Sequence, residues 1–255
     1  TQFNGGTSGA IWIDDKTTAT TTLTATTDGD STVTSGLINI TSAADLSIAS
    51  VDSAGNTVTI ATTKDAGVIV DANSTGNIVA DIVGTTVKLD SEGNIGVTGS
   101  NKGLDISATA LDVTTTAETT DTHISGSIFI QDVSATSTAL TVDSADVADN
   151  EAEAAGDIQL TKADGGFTIV TVSSGGATQD YGNVLIHAAT SITELNDDTT
   201  IDITGNLVTL TAAAGGITGN VTTFENDALK ALEVEAVSLN LSSTSGDITI
   251  TEATG

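Results

Sequence analysis

The chain has 255 residues and is strongly acidic: 34 Asp and Glu stand against 6 Lys and no Arg, for a formal net charge of −28. This charge excludes nucleic acid and an anionic membrane surface as partners, because binding to either requires a basic face that displaces counterions. The absence of Cys excludes a disulfide framework and thiolate metal sites.

The core must be built from aliphatic side chains, because the chain has no Met and only six aromatic residues. These are Phe3, Trp12, Phe129, Phe167, Tyr181 and Phe224. A β-sandwich or an enzyme of this size usually has more aromatic residues, so the composition favours a narrow interior of stacked small side chains. No apolar run approaches the roughly 20 residues that span a bilayer, and we expect no membrane insertion.

Residues 1–36 show the least regular pattern. They contain the triplet Ile11-Trp12-Ile13, a Thr-rich stretch and the turn Asp28-Gly29-Asp30. We interpret this region as an irregular N-terminal cap or as a first coil. Because the chain starts at Thr1 and shows no signal peptide, we expect a processed product or a piece of a longer protein.

From residue 37 to residue 255, one unit recurs: an aliphatic residue, a polar residue and a second aliphatic residue. Leu46-Ser47-Ile48, Val58-Thr59-Ile60, Leu104-Asp105-Ile106 and Leu232-Glu233-Val234 are examples. Alternate side chains of an extended strand point to opposite faces, so each triplet should bury two side chains and expose the polar one.

A Gly followed by Asn or Asp comes before many of these triplets. The pairs begin at Gly55, Gly76, Gly93, Gly156, Gly182, Gly205, Gly219 and Gly246. Gly and Asn accept the positive φ of tight turns, and the spacing of the pairs is about 20 residues. The pattern predicts an all-β fold, a single-stranded parallel β-helix (β-solenoid) with coils of about 20 residues, 11–12 coils and a length of about 55 Å.

Two segments interrupt the regular spacing of the aliphatic triplets. Residues 143–155 are acidic and lack a triplet, which predicts a loop insertion in the β-helix. Residues 224–236 have helix propensity, but the regular triplets on either side favour a strand at Ala231–Val234.

The segments Gly205–Leu210 and Leu239–Ile250 resemble the repeats of filamentous-haemagglutinin-type exoproteins and autotransporter passengers of bacteria. The resemblance is one of repeat style and extends from about Leu37 to the end of the chain. It implies a right-handed β-helix, passage across a bacterial envelope, and an adhesive or fibre-forming role at the cell surface.

Acidic turns are the candidate metal sites, because Ca²⁺ binds about six to eight oxygen ligands from carboxylates and carbonyls. The candidates are Asp28, Asp30, Asp143, Asp146 and Asp149. None of these clusters has the spacing of an EF-hand or of a Ca²⁺-binding nonapeptide repeat. The alternative is that they are solvated turns that keep the molecule soluble, and no other cofactor is expected.

No catalytic constellation stands out, so we expect no enzymatic activity. A polysaccharide-cleaving β-helix needs two carboxylates in a groove, usually with Arg and aromatic rings, and the chain has no Arg. The two histidines, His123 and His187, are interpreted as surface or turn residues.

Two functional classes therefore remain. The first is a secreted structural or adhesive surface protein whose partners are further copies of itself and host or matrix polysaccharide. The second is a carbohydrate-binding or carbohydrate-cleaving β-helix. The first is favoured because triplets continue to Ile250, which leaves an open strand edge that stacks on similar edges.

Overall fold

In the part of the chain that the structure describes, alternating aliphatic and polar residues form twenty β-strands, and every pairing between two strands is parallel. In this computed structural model the strands stack as a β-solenoid with about 27 residues per turn. The structure describes residues 9–27, 36–53, 55–73, 79–99, 103–116, 125–146, 155–176, 180–196, 200–219 and 231–253. Within these ranges there is no helix, and so no helix that could cross a membrane.

The strands are β1 (Ile11–Asp15), β2 (Thr21–Thr26), β3 (Ile38–Ser42), β4 (Leu46–Asp52), β5 (Thr57–Thr62), β6 (Ile69–Asp71), β7 (Ile82–Val83), β8 (Thr86–Ser91), β9 (Leu104–Ser107), β10 (Ala110–Thr116), β11 (Ile128–Asp132), β12 (Thr138–Asp146), β13 (Ile158–Lys162), β14 (Phe167–Gly176), β15 (Val184–Ala188), β16 (Ile192–Glu194), β17 (Ile203–Ala212), β18 (Ile217–Thr218), β19 (Leu232–Ser243) and β20 (Ile250–Glu252).

Successive turns place equivalent strands beside one another in two ladders. The first ladder runs through β1, β3, β5, β8, β10, β12 and β14, and continues through the first half of β17 and of β19 to β20. The second ladder runs through β2, β4, β7, β9, β11, β13 and β15 to the second halves of β17 and β19. In register, like side chains meet: Leu111 lies between Val87 and Leu140.

The inward residues of both ladders form one continuous aliphatic core. Val58, Ile60, Leu140 and Ile186 are fully buried in it, as the triplet pattern predicted. Phe167 is the one aromatic side chain of the described ranges in this core, which agrees with the narrow interior expected from the composition.

One corner of the solenoid is a column of glycines, one per turn: Gly67, Gly93, Gly126, Gly156 and Gly182. A Cβ on Gly126 would lie 2.1 Å from the carbonyl carbon of Gly93, and a Cβ on Gly156 would lie 2.4 Å from the carbonyl oxygen of Gly126. The backbones of adjacent turns therefore approach too closely at this column for any other residue.

Inward hydroxyl groups bind the carbonyl oxygens of the glycine column. Ser91 donates to Gly67 at 2.5 Å, Thr115 donates to Gly126 at 2.5 Å, and Ser174 donates to the next glycine of the column at 2.8 Å. Each bond gives a backbone oxygen of the corner a side-chain donor, in addition to the Gly93 amide that Gly67 accepts at 2.9 Å.

The predicted turn length of about 20 residues is wrong, because the register gives about 27. The prediction assumed that each Gly-Asn or Gly-Asp pair marks one turn with a positive φ. Among the members of that set that the structure describes, only Gly55 and Gly246 have a positive φ, 101° and 108°. Gly93, Gly156 and Gly182 are required by close approach instead. At about 4.8 Å per rung, the strands stacked in the first ladder give a length of about 43 Å, and not 55 Å.

Two boundaries also differ from the prediction. Residues 143–146 belong to β12 and not to a loop, because the inward Ser144 continues the alternation and bonds to Gly126. In the N-terminal region, β1 and β2 are regular strands in register with β3 and β4, so an irregular cap is wrong for residues 11–26. The predicted strand at 231–234 forms the start of β19, while residues 224–230 lie outside the described ranges.

Candidate functional site

Only two of the five predicted calcium residues, Asp143 and Asp146, lie in the part of the chain that the structure describes. Asp28, Asp30 and Asp149 lie outside the described ranges. Asp143 lies within β12, where burial raises the pKa of its carboxyl group and a hydrogen bond from Ser173 opposes that rise. Asp146 ends the same strand.

The solenoid does hold buried carboxyl groups elsewhere, at two places where one rung of a ladder is divided between two strands. In the second ladder the split falls between β6 and β7, and β4 of the preceding turn pairs with both. In the first ladder the split falls between β16 and β17, and β14 of the preceding turn pairs with both. β4 and β14 each carry a bulge against the strand before them.

Three acids surround the first split, and we name Asp71, Asp81 and Asp105 the first acidic triad. Asp71 ends β6, Asp81 comes directly before β7, and Asp105 lies in β9 on the next turn. The Asp105 amide donates to Oδ2 of Asp81 at 3.1 Å, and the Asp81 amide donates to the Asp105 carbonyl at 2.7 Å. The carboxyl group of Asp71 is close enough to contribute to the raised pKa of Asp81.

Three acids surround the second split in the same way, and we name Glu194, Asp202 and Glu233 the second acidic triad. Glu194 ends β16, Asp202 comes directly before β17, and Glu233 lies in β19 on the next turn. The Glu233 amide donates to Oδ2 of Asp202 at 3.1 Å, and the Asp202 amide donates to the Glu233 carbonyl at 3.0 Å. The two triads are therefore the same local structure, built once in each ladder.

Two residues of the first acidic triad hold protons more tightly than ordinary carboxyl groups do. Burial is the main cause: it raises the pKa of Asp81 to about 7 and that of Asp105 to about 6. The charge of Asp71 adds to both shifts, while the Asp105 amide partly offsets the shift of Asp81.

The second acidic triad is the more deeply buried of the two. Its side chains are 2 % (Glu194), 4 % (Asp202) and 5 % (Glu233) exposed. Burial raises the pKa of Asp202 to about 8, and the neighbouring charges of Glu194 and Glu233 contribute to the rise. One oxygen from each carboxyl group lies within 4.8 Å of the other two, so the three acids could hold a metal ion.

A third buried polar cluster surrounds Lys162, the residue that ends β13. Its ammonium group donates to Oδ2 of Asp132 at 2.5 Å, to Oγ of Ser134 at 2.7 Å and to Oγ1 of Thr138 at 2.9 Å. Oγ1 of Thr138 and the Ser134 amide also donate to Asp132. The ring of Phe167 lies 5.5 Å from the ammonium nitrogen. Both charges are fully buried and fully bonded, so this cluster is structural in character.

A shallow groove of about 330 Å³ lies on the outer face of β11, β13 and β15. Phe129, Gln131, Gln159, Thr161 and His187 line it, with a loop that includes Gly99 and Gly103. Among the residues that line it there is no carboxylate, so it lacks the acid pair of a glycosidase. His187 lies exposed on β15, as the surface interpretation expected, and His123 lies outside the described ranges.

The two ends of the solenoid expose the core. At one end, β1 pairs only with β3 and β2 only with β4 among the described strands. At the other, the second half of β19 pairs with β17 and has no described strand beyond it. The partly buried apolar residues that pack against the core are Ile11, Ile13, Ala236, Leu239, Leu241 and Ile250, and all of them lie at these ends.

Sequence reasoning missed both acidic triads, because it expected the middle residue of an aliphatic triplet to face solvent. Asp105 and Glu233 are such middle residues, and both are buried. The sequence did contain a signal for these triads. It is an acid at the middle position of an aliphatic triplet, together with a second acid one turn earlier. Without the true turn length, those acids could not be aligned.

No family model, curated protein or solved structure matches the chain. The parallel β-solenoid is compatible with β-helix repeat proteins as a class.

Proposed function

We propose that the protein is a non-enzymatic structural or adhesive component of a bacterial surface, and that its copies stack end to end. A second copy of this chain is the partner that the two ends of the solenoid fit best.

The distribution of partly buried core residues carries this proposal. Within the described ranges, the residues that pack against the core without being fully buried lie at the two ends. Each of these residues needs one more rung to be covered, which a second copy or a continuation of the chain would supply. An uncovered strand edge that displays aliphatic side chains is a template for further pairing.

Strand direction favours a head-to-tail contact. Because all pairs are parallel, the rung that continues each ladder must run in the same direction as the last one. β1 of one copy fits beside β20 of the next, and β2 fits beside the second half of β19, since each of these pairs belongs to a single ladder. A contact between two different ends does not close on itself, so it produces a filament.

The net charge sets the conditions for assembly. Copies that carry −28 each repel one another, and salt screens this repulsion over about 10 Å at 0.1 M. Stacking should therefore strengthen as the salt concentration rises.

The remaining features agree with a secreted protein. An acidic, Cys-free β-solenoid has the repeat style of the filamentous-haemagglutinin-type exoproteins, and that resemblance favours export, a cell-surface location and adhesion to host or matrix polysaccharide.

Sedimentation velocity tests the stacking. We expect the wild-type chain to form a concentration-dependent series of oligomers that grows between 0.05 and about 0.5 M salt. Leu241→Lys places a charge in the exposed end of the core and should weaken association at least about tenfold. Val237→Lys is the control on the same strand, because Val237 is already 74 % exposed. A wild-type chain that stays monomeric throughout would contradict the proposal, and so would a larger loss from Val237→Lys.

The groove on β11, β13 and β15 favours a second function, the binding of a carbohydrate. A Phe ring and two Gln side chains can stack on a sugar and bond to its hydroxyl groups. A glycan array tests this: binding that Gln131→Ala and Gln159→Ala abolish would support it, and an array without hits would contradict it.

A further inference from the structure

We propose that the second acidic triad is a Ca²⁺ site that closes the split between β16 and β17. Glu194, Asp202 and Glu233 supply the ligands, one from each side of the split and one from the next turn.

Geometry is the first support. The three carboxyl groups come from three separate positions along the chain, and one oxygen of each lies within 4.8 Å of the other two. A single cation placed between them would join the end of β16, the start of β17 and the neighbouring strand β19. A bond of this kind ties adjacent turns together at the point where the ladder is interrupted.

Unsatisfied oxygen atoms are the second, independent support. Glu194 and Glu233 both take part in other interactions, but the Oε2 atom of each is buried and accepts no hydrogen bond. Oδ2 of Asp202, in contrast, accepts the Glu233 amide. A buried carboxylate oxygen without a donor is costly, and a bound cation removes that cost.

The ligand chemistry selects the cation. All three ligands are carboxylates, and hard oxygen ligands suit Ca²⁺ or Mg²⁺ better than a transition metal. Ca²⁺ is favoured over Mg²⁺ because it binds in flexible geometry with about six to eight ligands at about 2.3–2.6 Å, whereas Mg²⁺ requires a near-ideal octahedron and keeps its waters. A site built from three buried carboxylates therefore fits Ca²⁺.

The first acidic triad is an internal control for this site. It has the same backbone arrangement, but its three acids are all aspartates and Asp71 is partly exposed. Its carboxyl groups are not among those that meet the distance criterion for a metal ion in the described ranges. The first triad is therefore expected not to bind Ca²⁺, and it serves as the control for the second.

The test compares the thermal unfolding of the full chain in chelator with its unfolding in millimolar CaCl₂. Isothermal titration of Ca²⁺ into metal-free protein measures the binding itself. At a Ca²⁺ concentration about 100-fold above Kd, the Tm of the wild type should rise by about 5–10 °C. Glu233→Gln keeps the shape of the side chain and removes one charge, so it should abolish the rise. In chelator this variant should melt above the wild type, because the repulsion within the triad is relieved.

Asp105→Asn is the matched control, since it changes the equivalent position of the first triad. It should keep the full Ca²⁺-dependent rise in Tm. The proposal is overturned if the wild type shows no Ca²⁺-dependent rise in Tm. It is also overturned if Glu233→Gln binds Ca²⁺ and gains stability as the wild type does. Each measurement can be repeated on the Leu241→Lys variant, which should not stack. The outcomes therefore do not depend on end-to-end stacking.

Discussion

Lys162 is a buried charged residue, and its contribution to stability depends on the groups that bind its ammonium group. Its ammonium group and the Asp132 carboxylate are both 0 % exposed, and three hydrogen bonds saturate the ammonium group. Lys162→Met should lower the free energy of unfolding by about 3–5 kcal/mol, because it leaves the Asp132 charge buried without its cation. Urea unfolding of the two proteins measures this difference.

The chain offers a control for that substitution. Lys88 and Asp112 form an ion pair of the same length, 2.5 Å, but about half of the Lys88 side chain is exposed. Lys88→Met should therefore cost at most about 1 kcal/mol. If the two substitutions cost the same, the buried cluster does not stabilise the fold as we describe.

The protonation of Asp81 makes stability depend on pH. Its folded pKa is about 7, above the ordinary value of 3.8, so the folded chain holds a proton that the unfolded chain releases between about pH 4 and pH 7. The stabilisation is complete below about pH 4 and is lost as the pH rises through 7. Asp81→Asn should give a shallower decline in the free energy of unfolding over this window, measured by urea unfolding at several pH values. An unchanged slope would contradict the burial of an ionisable Asp81.

The residue scale is also where prediction from sequence failed most. The aliphatic positions of the core were predicted, since period-two alternation depends only on neighbouring residues. The partners of Asp81, Asp202 and Lys162 were not, because each partner lies a turn away and the register between turns was unknown.

At the scale of the strand and turn, the glycine column decides how closely adjacent turns stack. Gly156→Ala would place a Cβ 2.4 Å from the carbonyl oxygen of Gly126 and 2.7 Å from that of Ser125. Both contacts are with backbone, so the turns must move apart, and we expect a loss of about 1–3 kcal/mol in urea unfolding.

Gly9→Ala is the control for this substitution, because a Cβ at Gly9 would meet nothing within 4 Å. It should leave stability unchanged within about 0.5 kcal/mol. A Gly156→Ala protein as stable as the wild type would show that the column tolerates side chains and that our account of the corner is wrong.

The number of residues per turn could not be predicted, because a Gly-Asn pair has two structural explanations that the sequence does not distinguish. A Gly-Asn pair is equally compatible with a positive φ, as at Gly55, and with close approach of two backbones, as at Gly156. The number of residues per turn also varies along the chain, since Ile38 pairs with Val58 and Val58 pairs with Val87. The spacing of glycines therefore cannot count the turns.

At the scale of the whole molecule, the fold class follows from composition and alternation together. Aliphatic triplets and few aromatics predicted a parallel β-solenoid, and the structure confirms this class. Handedness, export and assembly are still predictions.

End-to-end continuation of the two ladders is the central claim, and cryo-electron microscopy of the concentrated chain at about 0.5 M salt tests it most directly. We predict filaments in which the rung spacing of about 4.8 Å continues unbroken through each junction, with β1 beside β20 and β2 beside the second half of β19. Isolated rods at every concentration, or copies that meet side by side, would contradict it.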